Sequence, residues 1–224
     1  MRLTFDARAP LVFDIETLPL DNAADYLDPV EPDKRLVDPV KIEISRIERT
    51  KARDERLCLD PNVGRIAIIG WWTENEMTVY GCETETDEAR AITEFWRAIR
   101  QRVIVGFNIK GFDLPFLIQR SRYLDITHPP LDIGRYSREA IVDLFLELTF
   151  NQGHQCQGEM RHSLRAFAKR FGIACDDPVE GKDVPALIAA GDWQSAIDHC
   201  KSDLRCTVQL AQRLNLVPVE ALVA

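Results

Sequence analysis

The chain has 224 residues, 46% of them apolar, a formal net charge of −8 and a pI near 5.1; that is enough for a substantial core in one compact domain, and the charge means that any polyanion must be drawn in by local basic patches or metal ions. Six cysteines (Cys58, Cys82, Cys156, Cys175, Cys200 and Cys206) stand without CxxC pairs, which argues against a zinc ribbon or a disulfide-stapled secreted module and predicts reduced thiols. The start MRLTFDARAPLVFDIETL has no basic-then-apolar leader and no window approaches 18 apolar residues, so the expectation is an unexported, cytoplasmic protein with no membrane partner.

In chain order, the first predicted strand is LVFDIET, residues 11–17. The Pro-punctuated stretch LPLDNAADYLDPVEPDKRLVDP reads as loop. KIEISRIERTKARDERL is dense in mixed charge with Ile42, Ile44 and Ile47 at helix-like spacing, which predicts a surface helix. Residues 21–62 thus read as a charged, largely helical insertion in a single domain spanning 1–224. RIAIIGWW and EMTVYG, separated by a polar turn around Glu74 and Asn75, predict a hairpin. DEARAITEFWRAIRQR sets Ala91, Ile92, Phe95, Trp96 and Ile99 on one helical face and leads into a strand, VIVGFN. Helices are then predicted over LPFLIQRSRYL, HSLRAFAKRFGI and WQSAIDHCKSDLRCTVQLAQRLN, with Asp192 as the last helix's cap. Strands early with helices interleaved and later give an α/β domain around a mixed sheet.

Three stretches carry carboxylates that need a reason. In LVFDIET, period-two alternation points Asp14 and Glu16 one way and Phe13 and Ile15 the other. Two adjacent acids on a buried face require a positive partner, for which a divalent cation with oxygen ligands is suited; on an edge strand the pair would simply be solvated. In VIVGFNIKGFDLPFL, Asp113 falls at the carboxyl end of a strand and the start of a helix, a position that suits either a ligand site or a helix cap. In the last helix, Trp193, Ala196, Ile197, Cys200, Leu204, Val208, Ala211 and Leu214 share an arc. Asp203 lies just outside it and His199 farther out on the same side, which predicts that both face a boundary between core and solvent.

Together the stretches read FDIET, N-x-x-x-F-D after a strand, and H-x-x-x-D on a late helix. The pattern resembles the DEDD superfamily of 3'-5' exonucleases, of ribonuclease H-like fold, and within it the stand-alone bacterial relatives of the proofreading exonuclease domain of family B DNA polymerases. The resemblance runs from about Leu11 to Leu214 and includes LDPNVGRIAIIGWW, HSLRAFAKRFGI and GKDVPALIAAGDWQSAIDHCKSD. It implies that Asp14, Glu16, Asp113 and Asp203 hold two divalent cations, Mg2+ or Mn2+. Asp14 would bridge the ions, Glu16 and Asp203 would complete the one serving the nucleophile, and Asp113 would serve the other. Asn108, Phe112, Thr17 and Leu18 become candidates for substrate binding, and the implied partner is the 3' end of single-stranded nucleic acid, DNA ahead of RNA. Other readings are an RNA 3'-end trimming enzyme and a non-catalytic nucleic-acid-binding module. His199 departs from the pattern. One branch of the superfamily has Tyr at Y-x-x-x-D spacing and the other has His one residue farther from the Asp, so this chain joins the residue of one to the register of the other. An imidazole can accept a proton near neutrality, which makes His199 the candidate general base.

Other features are weaker. Arg161, Arg165 and Lys169 recur every fourth residue and read as a solvated polar face or a phosphate track. His154, Cys156 and His162 lack a fourth well-spaced zinc ligand. Trp71, Trp72, Phe95 and Trp96 lie on strand and helix patterns and read as core.

Overall fold

The computed structural model describes residues 10–73, 76–134, 136–137, 140–155 and 162–216. Its strands are β1 (Pro10–Pro19), β2 (Gly64–Thr73), β3 (Glu76–Gly81), β4 (Val103–Gly106) and β5 (Ile141–Asp143). Its helices are α1 (Pro39–Asp54), α2 (Glu85–Ala98), α3 (Asp113–Tyr123), α4 (Leu144–Leu148), α5 (Leu164–Arg170), α6 (Val184–Ala189) and α7 (Trp193–Arg213). The sheet order is β3-β2-β1-β4-β5. The β1–β2 and β2–β3 pairs are antiparallel, and β1–β4 and β4–β5 are parallel. This is the mixed α/β sheet expected from the sequence, with β1 in its centre. The predicted hairpin is present, although its turn at Glu74 and Asn75 lies outside the described residues.

The period-two alternation of β1 sorts two cores. Leu11, Phe13 and Ile15 pack with α2 and α3 residues such as Ile92, Phe95 and Leu117. Val12 and Leu18 pack on the other face with Phe167, Cys200, Leu204 and Val208 from α5 and α7. Trp71, Phe95 and Trp96 are buried and Trp72 packs against the second core, as read from the sequence. Because Asp14 and Glu16 share parity with Val12 and Leu18, they belong to the α7 face. Between Glu16 and Thr17 the β1–β2 register slips by one residue, a bulge of the kind that re-aims side chains beside active sites.

Gly70 sets how closely α7 can approach. It pairs with Asp14 across the ladder, and a Cβ built there would meet Leu204 Cδ1 at 2.8 Å and Cys200 Sγ at 2.9 Å. The missing side chain lets the helix rest on the strand next to Asp14.

Caps define the helix ends. Asp38 accepts from Val40 N at 2.9 Å, with Pro39 at the first turn of α1. Thr84 and Asp87 form a reciprocal capping box on α2, and Asp192 accepts from Ser195 N at 3.1 Å as predicted for α7. The α1 helix buries none of its residues, as its mixed-charge sequence anticipated. Strand β5 and helices α4 and α6 escape the sequence reading because three to six residues are too short to show a period.

The cysteine expectation is corrected. Cys175 and Cys206 form a disulfide, their Cα atoms 6.2 Å apart, while Cys58, Cys82 and Cys200 are free and Cys156 lies outside the described residues. The partners are 31 residues apart, and the packing of α5 and α6 on α7, which carries the segment between those two helices to α7, brings them together.

Between the sheet and α3 lies a buried ion pair. Glu88 accepts from Arg120 Nε and Nη2, both at 2.8 Å, and from Ile66 N at 2.8 Å; the two side chains are 0% and 3% exposed. Removing one partner strands a charge in the core, so Glu88→Ala and Arg120→Ala should each destabilise by about 3–5 kcal/mol. The paired change Glu88→Leu with Arg120→Met should be much milder. Calorimetric melting of the four proteins checks this ordering, and additive losses in the double variant would contradict it.

Candidate active site and metal centre

The four acids singled out in the sequence lie on three elements: Asp14 and Glu16 in the middle of β1, Asp113 at the start of α3, Asp203 on α7. Their electrostatics link them. Burial first, then the charges of Glu16, Asp113 and Asp203, push the Asp14 carboxyl well above the usual carboxylate range. Burial, then Asp203, Asp113 and Asp177, do the same to Glu16. Burial also raises Asp203, against the opposing charges of His199 and Arg165. The Cys200 thiol, on α7 above Gly70, is raised by burial and then by all four acids in turn.

Asp113 is not the helix cap, since Phe112 occupies that position. The Asp113 carboxyl is 4% exposed; burial pushes it up to about 7, opposed by the backbone N–H groups of Asp113 and Ile15 and reinforced by Asp143. Asp143 had no sequence signal. At the end of β5 it accepts from Asn108 N (2.9 Å), Lys110 N (3.0 Å), Phe145 N (3.0 Å) and Leu146 N (3.4 Å). It thereby clamps the β4–α3 turn, in which Asn108 takes a φ of +61°, and so sets where α3 begins.

The structure distributes the remaining candidates as follows. Thr17 Oγ1 donates to Cys58 O at 2.6 Å, tying the turn at 57–59 to β1. Leu18 is in the core. The Asn108 side chain curls over Gly111, where a Cβ would lie 2.6 Å from its Oδ1. The Phe112 ring is 5.6 Å from that of Phe116 and packs against the α2–α3 core.

His199 is corrected in its environment. The sequence placed it at a core–solvent boundary, but its side chain is 2% exposed. The segment 175–183 runs along this side of α7 and covers it. His199 Nδ1 is 2.5 Å from Asp177 Oδ2, while Nε2 is 3.5 Å from Glu16 Oε1 and 4.0 Å from Asp203 Oδ2. Against the opposing effect of its partial burial, the Val179 N–H, His199 and Arg165 hold the Asp177 carboxyl below its usual range. Arg165 is not part of a merely solvated face. It donates to Asp177 O (2.9 Å), Asp177 Oδ2 (3.3 Å) and Val179 O, and passes 3.9 Å from Asp203 Oδ1. Arg161 and Cys156 lie outside the described residues, while the rings of His154 and His162 pack on Phe145 and Phe167.

Several observations fit a divalent cation. Asp203 Oδ1 is buried with no hydrogen-bond partner among the described residues, a state that ordinarily costs about 1–3 kcal/mol, and more for a charged group. Asp177, His199 and Asp203 each bring one potential ligand atom within 4.8 Å of the others. The four acids form a hard-oxygen donor set of the kind that Mg2+ and Mn2+ select.

Comparison with known proteins bears on this geometry. The model of the family described as DNA polymerase family B, exonuclease domain, matches residues 70–164, a span that includes Asp113. Over those residues the chain is similar to the exonuclease domain of family B DNA polymerases. The DNA polymerase delta catalytic subunit of Oryza sativa subsp. japonica is 35% identical over 29% of this chain, which matches 7% of that subunit. The family B DNA polymerase of the hyperthermophilic archaeon Pyrobaculum calidifontis superposes with a TM-score of 0.61 at 20% identity, covering 93% of this chain and 24% of the polymerase. The chain therefore has the α/β ribonuclease H-like fold of that part of the polymerase, and it spans under a quarter of either relative's length.

The raised Asp113 carboxyl gives a signed prediction for the metal-free domain. Its folded value near 7 lies above an unfolded value of about 3.9, so the folded state holds the proton more tightly and stability from this group falls as pH rises between those values. Asp113→Asn removes the penalty. In chelator, the variant's melting temperature should therefore gain on wild type from about pH 4 to about pH 7, and saturating Mn2+ should raise wild type far more than the variant. A difference independent of pH and metal would contradict the assignment.

Proposed function

We propose that this domain is a 3'-5' exonuclease that hydrolyses phosphodiester bonds from the 3' end of single-stranded nucleic acid, with DNA as the preferred polymer. The observation that carries the proposal is the convergence of Asp14, Glu16, Asp113 and Asp203: after burial, the charges of the other acids raise the affinity of Asp14 and Glu16 for protons. Four acids gathered at a largely buried site oppose folding without a cation; around two divalent ions their charges would be balanced. Asp14, Glu16, Asp113 and Asp203 would hold Mg2+ or Mn2+, which when bound activates water for in-line attack and stabilises the departing 3' oxygen. Both named relatives are DNA polymerases, which favours DNA over RNA. Residues 1–224 are taken as one such domain, with 21–62 as an insertion at its edge.

The chain's own groups have distinct tasks in this scheme. His199 directs Nε2 toward the gap between Glu16 and Asp203 and is placed to take a proton from an attacking water. Tyrosine, with an ordinary pKa of about 10, would be poorly suited to that task near neutrality. The clamp from Asp143 fixes the β4–α3 turn, and Asn108 and Phe112 on that turn stand beside Asp113 as contacts for the terminal nucleotide. Thr17 continues β1 past Glu16 and is the candidate on the opposite wall, whereas Leu18 lies in the core and supports that wall from behind.

End-labelled single-stranded DNA and RNA of one sequence, with Mg2+ or Mn2+, test the proposal. Linear DNA should release mononucleotides from its 3' end while circular single strands resist. Alanine at any of the four acids should lower the rate by orders of magnitude, and His199→Ala by about 10²- to 10⁴-fold. Faster trimming of RNA would reassign the polymer. Binding without turnover would identify a non-catalytic module, and cutting of circles would remove the directionality.

A further inference from the structure

The sequence of Asp177 gives no hint of function, yet its carboxylate makes the shortest contact to His199 and is itself held on all sides. Its Oδ1 accepts from Val179 N at 3.0 Å, its carbonyl accepts from Arg165 Nη1 at 2.9 Å, and Arg165 Nη2 stands 3.3 Å from Oδ2. Two residues earlier, Cys175 is bonded to Cys206 on α7, so the segment is fastened to the helix that carries His199. A carboxylate restrained in this way has little freedom to lose when it binds an imidazole, and a charge-assisted hydrogen bond of 2.5 Å results.

We propose that Asp177 is a positioning residue for His199: it fixes the proton on Nδ1 and leaves Nε2 as a bare acceptor facing Glu16 and Asp203. Two groups meet Nδ1: the Asp177 carboxylate at 2.5 Å, which only accepts, and Arg165 Nη2 at 3.4 Å, which only donates; the much shorter contact decides, so Nδ1 carries the hydrogen. The neutral ring then presents a lone pair toward Glu16 Oε1 and Asp203 Oδ2, at 3.5 and 4.0 Å. In the opposite tautomer the Nε2 hydrogen would be directed at Glu16 instead, and the ring could not take a proton from water there. This is the orienting logic of an acid behind a general-base histidine. Its purpose rests on the exonuclease reading; the tautomer does not.

The local bonds make Asp177→Asn a discriminating variant. Val179 N–H demands an acceptor at Oδ1, so the amide oxygen stays there and the NH2 group takes the place of Oδ2. That group donates to Nδ1 and drives the imidazole hydrogen to Nε2; it gives up the 3.3 Å contact from Arg165 Nη2, which keeps its anchors on the Asp177 and Val179 carbonyls, so size and fold are retained. The experiment is long-range proton–nitrogen spectroscopy of the 15N-labelled, metal-free protein at a pH alkaline enough to keep the ring neutral, with His199→Gln assigning the signals. Wild type should show Nδ1 protonated and Nε2 bare, and Asp177→Asn the reverse. In parallel, kcat for single-stranded DNA should fall by about 10²-fold in Asp177→Asn, with KM, melting temperature and calorimetric Mn2+ affinity close to wild type. Adding Asp177→Asn to His199→Gln should cost nothing further. A bare Nδ1 in wild type, an unchanged tautomer in the variant, or a loss that falls on melting temperature rather than kcat would overturn the proposal. Absence of hydrolysis in wild type would sink the exonuclease reading, while the spectra would still decide what Asp177 does to the ring.

Discussion

Carboxylates brought near one another away from water repel, and in this domain the charges of Glu16, Asp113 and Asp203 all act on Asp14, in a place where Glu16 and Asp113 are buried and Asp14 and Asp203 partly so. Everything around them serves to hold that unfavourable arrangement. The central strand β1 supplies two acids from one face because its alternation sends Phe13 and Ile15 into the opposite core. Gly70, paired with Asp14, lets α7 descend far enough to add Asp203. Asp143 grips the turn before α3 with backbone hydrogen bonds on both sides of it, and Asp113 follows at a fixed point. The stability that offsets this charge arrangement comes from elsewhere, from the two apolar layers.

The second level of organisation concerns direction rather than charge. His199 lies on the same helix as Asp203, one turn earlier, but helix geometry alone does not say which ring nitrogen faces the acids. That is settled by the segment between α5 and α6, which Arg165 and the Cys175–Cys206 link bind to the rest of the fold. A loop is ordinarily the softest part of a domain. Here it is tethered at the position where an imidazole needs a fixed partner, and its cover explains why His199 is buried rather than exposed at the helix margin.

Much of this is legible in the sequence, and the reasons are physical. Long elements announce themselves through period, so β1, β2, α2 and α7 are readable from alternation or from helical arcs. Strand parity and helical angle alone assign the acids on them to a face. Asp14 and Glu16 stand out because two like charges share a strand face, and Asp203 because it borders an apolar arc. Asp177, Arg165 and Asp143 are not readable as site residues. Asp177 and Asp143 sit in or beside short, aperiodic segments, and Arg165 on a seven-residue helix looks like one more cation on a polar face. Their roles come from contacts 12 to 35 residues away in sequence. The disulfide is hidden for the same reason, since spacing says nothing of a pairing made by helix packing. Strand β5 is too short to show a pattern.

The central claim is that the four acids are arranged for divalent cations. Anomalous diffraction from crystals soaked in Mn2+ tests it most directly. The account predicts manganese peaks within bonding distance of carboxylate oxygens of Asp14, Glu16, Asp113 and Asp203, with Asp203 Oδ1 among the ligands and Asp177 still bonded to His199 Nδ1. Manganese absent from this place at saturating concentration, or bound only between Asp177 and His199, would contradict it.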